Sequence, residues 1–498
     1  MEIKLLGALN YEELKGYLKD KVENLDEVIE YIDGLINKRR CDIVATSGRL
    51  SRYPGSVFEI LETIETRDYD KNIEFIKRVT GMGHDSITDH DYLVFAIKNV
   101  TPVIEQTIIE ERYSSFTIKS RREVDFSKVG HYTPNFRNEF GIIKNNEQVQ
   151  KEYNEYMQFL FDEYKFFCDN GINKEDARFV LPYSYFSNII MGVDAHTLKD
   201  MIIKYTKKKQ SNIQELECFG WELYNIAKKH IPYIIDEIDK EKPNLNDEVD
   251  EYLKTIHQKE EYNILEKSKL LNSSTNIDDT ILISALMRRY QYPYDYAKKV
   301  YERLCIEDPN FKEKLMKKII FESDKLELTQ TDFQFQIPIS FAVLTHLTRH
   351  RTHDIVVPDF VPNIDLEKYK IPPTIKDELK DRYINIFEKN KKMYEKFKHE
   401  YGIIEEDLVY FTLSGNMVNI LTNMNGKTLE HILGLRECNK TQWETRIIAH
   451  DMHEEIKNKE DAKVFSTFLG ATCMTQGICN EGKESCGKLK ILEKNNCK

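Results

Sequence analysis

The densest chemistry in the chain is the run His346-Leu-Thr-Arg349-His350-Arg351-Thr-His353-Asp354. It follows an apolar stretch, PISFAVL, that needs burial, so its basic end is delivered at the edge of a core. Two guanidiniums around an imidazole suit a phosphate or a flavin-type ring, because arginine offers planar bidentate donors and a permanent charge. A plainer reading is a basic helix end at the solvent. A third is a metal site: His346, His350 and His353 recur at i, i+4 and i+7, one face of a helix, with Asp354 adjacent. No glutamate stands where a zincin-type general base is required, which weakens that third reading.

Two further groups have the same flavour. In Arg112-Tyr-Ser-Ser115-Phe-Thr-Ile-Lys-Ser120-Arg121-Arg122, hydroxyls interleave with arginines, combining neutral donors with charge as phosphate sites do. The bland alternative is a turn rich in local hydrogen bonds. Asn425 and Arg436 lie eleven residues apart (436 − 425), about three helical turns, and so fall near one face. An arginine on the otherwise apolar LEHILGLR needs a partner if buried, or else snorkels outward. Gln442-Trp443-Glu444 opens the next segment. A tail with Cys473, Cys479, Cys486 and Cys497 lacks the short CxxC pairs of zinc ribbons; metal binding and free thiols are both open there. No Walker loop, dinucleotide-binding glycine motif or nucleophile elbow is present.

The elements that must position these groups come in two sets. GHDSITDHDYLVFAIKNVTPVIEQTIIEERYSSFTIKSRR, from Gly83, parallels FQFQIPISFAVLTHLTRHRTHD, from Phe333; VDAHTLKDMIIKY, from Val193, parallels MNGKTLEHILGLR, from Met424. The offsets barely move: 351 − 112 = 239, 425 − 194 = 231 and 436 − 205 = 231. That length fits a duplicated domain and not a solenoid repeat. DYLVFAIKNV and DFQFQIPI predict strands. Residues 146–168 and 374–400 predict long exposed helices, and 11–40 one or two amphipathic helices. CDIVATSGRLSRYPG and its counterpart DTILISALMRRYQYP read as strand-like. The expected division is 1–240, 241–470 and a Cys-rich tail, 471–498, each half mixed α and β.

Composition bounds the function classes. With 498 residues, 41% hydrophobic and 31% charged, the chain suits a soluble globular protein of at least two domains. A net charge of −12 argues against a general nucleic-acid binder. No run of about 18 apolar residues predicts a membrane span, and acids appear too early for a secretory leader, so a cytoplasmic location with reduced thiols is expected.

Taken together, the motifs resemble those of the flavin-dependent thymidylate synthases. That family's fingerprint is an RHR with spaced serines and a final arginine. It also has an upstream GHxS element and a downstream helix carrying asparagine and arginine, followed by Q-W-E. The chain resembles two fused protomers, each incomplete. The first half matches at His84, Ser86, Ser115, Ser120, Arg122 and Arg178, but has Glu110 and Glu111 in place of the first two RHR positions, and Asp194, His196, Asp200 and Tyr205 on the downstream helix. The second half matches at Arg349, His350, Arg351, Asn425, Arg436 and Gln442, with Lys427 for arginine and His431 for asparagine. Its GHxS element is not recognisable, and Asp354, Asp359 and Val361 replace the serines and final arginine.

The resemblance implies an α+β fold with two tandem synthase-like domains forming an intramolecular pseudo-dimer. It implies reductive methylation of dUMP to dTMP, with FAD as cofactor and NADPH and methylenetetrahydrofolate as co-substrates, at one composite site between the halves. Arg436 would be catalytic. Ser120, Arg121, Arg122, Arg178, His346 and Arg349 would bind substrate. His84, Ser86, Arg349, His350, Arg351, Asn425, Lys427 and His431 would line the flavin, with no resident metal. Self-association of two chains into a pseudo-tetramer follows by the same resemblance. The alternative is a paralogue that binds nucleotide or flavin without this chemistry.

Overall fold

The computed structural model describes residues 1–5, 24–143, 146–243, 248–257, 263–361 and 365–489. These residues form two compact units: 1–261 with 373–413, and 262–372 with 414–498.

Unit 1 contains β1 (Glu2–Leu5), α1 (Leu25–Leu50), α2 (Val57–Glu65), α3 (Tyr69–Thr80), β2 (Tyr92–Val100), α4 (Pro102–Glu110), β3 (Ser115–Ile118), α5 (Glu147–Asp169), β4 (Ser187–Asp194), α6 (Ala195–Lys207) and α7 (Gln214–His230). Its strands form an antiparallel sheet in the order β1-β2-β4-β3. In β2, Leu93, Phe95 and Ile97 alternate into the core, as period-two burial requires.

Unit 2 contains β5 (Lys269–Ser273), α8 (Ile277–Tyr290), β6 (Asp332–Ser340), α9 (Phe341–Thr348) and β7 (Asp354–Val356). The chain then runs through α10 (Asp377–His399), which belongs to unit 1, and returns for β8 (Met417–Asn425), α11 (Gly426–Arg436) and α12 (Trp443–Lys457). Its antiparallel sheet has the order β5-β6-β8-β7, the same topology as in unit 1.

The strand registers establish the duplication residue by residue. Tyr92 pairs with Asp194, and Asp332 with Asn425, giving offsets of 332 − 92 = 240 and 425 − 194 = 231. Beyond Lys98 the first copy shifts register, and Val100 pairs with Ser187 where Ile339 pairs with Val418, so the first offset falls to 339 − 100 = 239. The extra residue is Asn99, held at φ 58°, a left-handed conformation that asparagine tolerates. One bulge thus accounts for the single-residue drift between the copies.

The expected strand DYLVFAIKNV is β2, and DFQFQIPI lies in β6. The strand-like runs at Cys41 and Asp279 are instead helical, the first at the C-terminal end of α1 and the second over most of α8. Their buried residues explain why: Cys41, Val44 and Ala45, and likewise Ile281, Leu282, Ala285 and Leu286, recur at helical and not alternating spacing. Part of the expected helical region 11–40 lies outside the described residues.

The two long charged helices form as expected, but neither is merely exposed. Helix α5 buries Tyr153, Tyr156, Met157, Leu160 and Phe161, and α10 buries Tyr383, Ile386, Phe387 and Phe397. Within unit 1 the ring of Phe397 lies 5.6 Å from Phe136 and 5.1 Å from Phe411, and Tyr153 lies 5.6 Å from Phe411. Arg382 forks onto Glu163 at 2.6 and 2.8 Å. These contacts place α10 with the first copy's core, so the compact units do not follow the chain halves one for one.

A buried carboxylate locks the same joint in each copy. Where β6 passes into α9, Glu444 accepts from Ser340 N and Ser340 Oγ, both at 2.7 Å. Where β2 passes into α4, Glu215 accepts from Thr101 N at 3.2 Å, Thr101 Oγ1 at 2.6 Å and Tyr410 Oη at 3.1 Å. Each carboxylate satisfies donors at a helix start that the helix cannot satisfy itself. Burial pushes the Glu215 carboxyl up from 4.5 to about 7, against the pull of its hydrogen bonds. Folding therefore takes up a proton between these values: this group's contribution to stability is full below pH 4.5 and is lost as pH rises through about 7. In Glu215→Gln that dependence disappears. The melting temperature of the variant minus that of the native chain should rise from about pH 5 to about pH 8; a flat difference would show that Glu215 keeps an ordinary pKa.

Candidate active site

In unit 2 the RHR follows directly from α9, every residue of which is buried. The helix ends at Thr348, so His350 and His353 lie beyond it, and the single helical face of three histidines is not formed. The His346 ring is buried, with Nδ1 3.1 Å from Thr445 Oγ1. His353 is engaged at both nitrogens, by Thr422 Oγ1 at 2.7 Å and the Leu347 carbonyl at 3.1 Å.

Arg436, the last residue of α11, donates through Nε to His350 Nε2 at 3.0 Å and through a terminal nitrogen to the His346 carbonyl at 2.9 Å. The accepting His350 nitrogen carries no proton, so the ring is neutral. Burial and then the neighbouring Arg436 hold its pKa down to about 3. The His431 ring stands edge-on to it at 5.7 Å, and Arg349, Arg351 and His431 are exposed. Asn425 caps α11 by accepting from Thr428 N at 2.9 Å, and half-buried Lys427 follows in its first turn. Gln442 caps α12 through Oε1, accepting from Thr445 N at 2.9 Å, while its buried amide nitrogen has no partner among the described residues. Thr445, which the sequence reading missed, joins Gln442 to His346. The one signal for it was the threonine that follows Q-W-E.

In unit 1 the second basic group splits by direction. Arg121 turns inward to Glu105 Oε2 at 2.7 Å and to the Tyr185 hydroxyl. The buried Glu105 needs a cation, and Arg121 supplies it. Arg122 is exposed and pairs with Glu175, and Ser120 Oγ accepts from Arg122 N at 3.3 Å. Arg178 is 2% exposed, and donates to the Glu175 carbonyl at 3.0 Å; one of its terminal nitrogens is buried without a partner among the described residues. Burial and then the like charge of Arg121 lower its pKa to about 10. A guanidinium buried beside other arginines with an orphaned donor fits an anionic ligand such as a phosphate.

His84 and Ser86 sit on the wall of a cavity of about 540 Å³ shared with Arg49, Arg52, Arg78 and Phe75. That size lies within the ~300–1,000 Å³ usual for small-molecule sites. Arg49 lies 4.5 Å above the Phe75 ring, and its buried Nε has no hydrogen-bond partner among the described residues. The unrecognised counterpart of His84 is now identifiable as Asp324 (324 − 84 = 240). There Arg288 pairs with Asp324 and Glu327, and Arg289 with Glu322 at 2.6 Å. Among the described residues no carboxylate pairs with Arg49, Arg52 or Arg78 of the first copy, whereas Arg288 and Arg289 of the second are neutralised.

Elsewhere the copies keep an ion pair and swap its signs. Lys199 meets Asp85 at 3.1 Å, and at the equivalent positions Glu430 meets Lys325 at 2.8 Å (430 − 199 = 231; 325 − 85 = 240). By contrast, Glu111 stands where the second copy has His350 (350 − 111 = 239) and is paired with Lys204 at 2.8 Å.

Flavin-dependent thymidylate synthases are among the chain's relatives. That of Pyrococcus furiosus is 28% identical over 224 residues, 43% of this chain and 88% of the relative. That of Saccharolobus solfataricus is 30% identical over 213 residues, 41% and 77% respectively. Solved structures matched over 40 and 41% of the chain include thymidylate synthase X of Helicobacter pylori with FAD and dUMP (19% identity, 95% of that chain, TM-score 0.31) and the UMP/dUMP methylase PolB of Streptomyces cacaoi (20%, 91%, 0.33). No helix of the described residues is long and apolar enough to cross a membrane. The family described as thymidylate synthase complementing protein matches twice, over residues 35–233 and 269–460, one match to each copy of the sheet; the chain belongs to that family.

Proposed function

We propose that the chain is an FAD-dependent thymidylate synthase that methylates dUMP, using methylenetetrahydrofolate and NADPH, at one composite site. The observation that carries the reading is complementarity of retained side chains. The second copy keeps Arg436, His350 and the RHR. The first keeps Ser120, Arg122, Arg178 and the cavity of His84 and Ser86.

Within that reading each residue has a chemical task. Pyrimidine C5 becomes nucleophilic as negative charge is drawn onto the ring edge, and Arg436, pre-oriented by His350 and the His346 carbonyl, stabilises that charge without reorganising. The neutral His350 leaves Arg436 as the positive charge of that pair. Arg178, Arg122, Ser120 and Arg349 hold the phosphate, with Arg121 positioning them through Glu105. His84 and Ser86, with Arg351, Asn425, Lys427 and His431, hold the flavin, and the cationic cavity fits its pyrophosphate. Flavin, when bound, supplies hydride transfer to the one-carbon unit.

The direct test is anaerobic: the chain is purified, saturated with FAD, and mixed with NADPH, methylenetetrahydrofolate and dUMP. Flavin bleaching that dUMP accelerates, with dTMP formed, is the expected result. A chain that binds dUMP but never FAD would overturn the enzyme reading and leave a nucleotide-binding paralogue.

A further inference from the structure

Four of the nine cysteines converge on one small cavity in unit 2, apart from the residues assigned above. Cys438, Cys473, Cys479 and Cys486 line a void of about 50 Å³ at the end of α11. That is several times the ~10–15 Å³ that one water requires. The sequence spacing, with no CxxC pair, gave little warning; the fold brings Cys438 to the three tail cysteines.

The path of the tail suits convergence. Gly477, Gly482 and Gly487 take φ values of 69°, 51° and 79°, conformations open to glycine, and the chain turns at each between or beside its cysteines. Thr472 Oγ1 donates to the Gly434 carbonyl at 3.1 Å, and Gln476 donates to Glu430 at 2.8 Å, fixing the tail's start on α11. Lys440 and Lys488 line the void together with Glu437 and Glu481, two charges of each sign. All four thiols are free.

We propose that Cys438, Cys473, Cys479 and Cys486 bind a thiophilic metal centre, and that its occupant is an iron–sulfide cluster. Four soft sulfur donors select zinc or iron–sulfur chemistry over hard cations. The spread of the sulfurs chooses between these two. A tetrahedral zinc with Zn–S bonds of about 2.3 Å sets its sulfurs about 3.8 Å apart. Among the described residues, the one set of three or more candidate ligands with all donor atoms within 4.8 Å is Glu322, Asp324 and Glu327, whose carboxylates face Arg288 and Arg289. No three of the four thiols therefore lie within 4.8 Å of one another, wider than the spacing that a single zinc ion sets, and a cluster of several irons reaches sulfurs set farther apart. Cys438 lies two residues beyond Arg436, so the centre would clamp the tail to the helix end that carries it.

The test uses the full chain, purified without oxygen and reconstituted separately with ferrous iron plus sulfide and with zinc. Iron and acid-labile sulfide are counted chemically, since flavin would mask the visible spectrum. The expected result is stoichiometric iron and sulfide, lost in Cys473→Ser and Cys479→Ser but retained in Cys218→Ser. Alkylation mapped by mass spectrometry guards against misfolded variants: in the native chain these four cysteines should resist until a chelator is added, while Cys218 reacts at once. One zinc per chain without sulfide would keep the four-thiolate site and overturn the cluster. Failure to retain either metal, or rapid alkylation of all four cysteines after reconstitution, would overturn the proposal.

Discussion

Arg436→Ala should lower kcat by about 10²- to 10³-fold, the loss typical of removing one pre-organised donor from a developing anion. The argument rests on how the guanidinium is held. One edge is committed to His350 Nε2 and the His346 carbonyl, so its orientation is fixed before substrate arrives. Arg436→Lys should recover little, because an ammonium cannot reproduce the planar fork. A structural role alone would predict loss of stability with kcat nearly unchanged. A further readout separates the two. Arg436 contributes to holding His350 near 3, so its removal should move the His350 pKa upward, visible as a new NMR titration in the mildly acidic range. The matched control is Tyr205→Phe at the equivalent place in the first copy (436 − 205 = 231), which should leave kcat within about threefold, or about 0.65 kcal/mol. A normal rate in Arg436→Ala would end its catalytic assignment.

The duplication was legible because both copies keep the same order of strand, buried helix, basic motif and second helix at nearly constant offsets. The strands β2 and β6 were legible from their β-forming residues. The end of α1 and the body of α8 were not: Ile43-Val44 and Thr280-Ile281-Leu282-Ile283 look strand-like, and only burial at three- and four-residue spacing reveals the helix. The site divided in the same way. Arg436 and the RHR announced themselves by type and order. The inward turn of Arg121 did not, since it depends on Glu105 being buried sixteen positions earlier in sequence. The sign-swapped pairs Asp85–Lys199 and Lys325–Glu430 were invisible for a related reason: in sequence each residue alone reads as an ordinary charge, and its partner is 114 or 105 positions away. Such swaps leave each copy internally satisfied while changing which ligands its surface accepts.

Arg178→Met should weaken dUMP binding by about two to three orders of magnitude while leaving the melting temperature unchanged or raised. The two halves of that expectation have one cause. The Arg178 guanidinium is buried, repelled by Arg121, and has a terminal nitrogen with no partner among the described residues, so the fold bears its desolvation without full repayment. Replacing such a charge with an apolar side chain of similar length is commonly neutral or stabilising. If a phosphate completes the site, the same replacement removes a charge-assisted contact in a desolvated place, worth roughly 2–5 kcal/mol. Calorimetry on the FAD-loaded chain reads both terms, and it reads stoichiometry as well. One dUMP per chain is expected, since the first copy has Glu111 paired to Lys204 where the second has His350 beside Arg436. Two equal sites would contradict the complementary division of residues. Undiminished affinity in Arg178→Met would move the phosphate elsewhere, and a large fall in melting temperature would mark Arg178 as a structural cation.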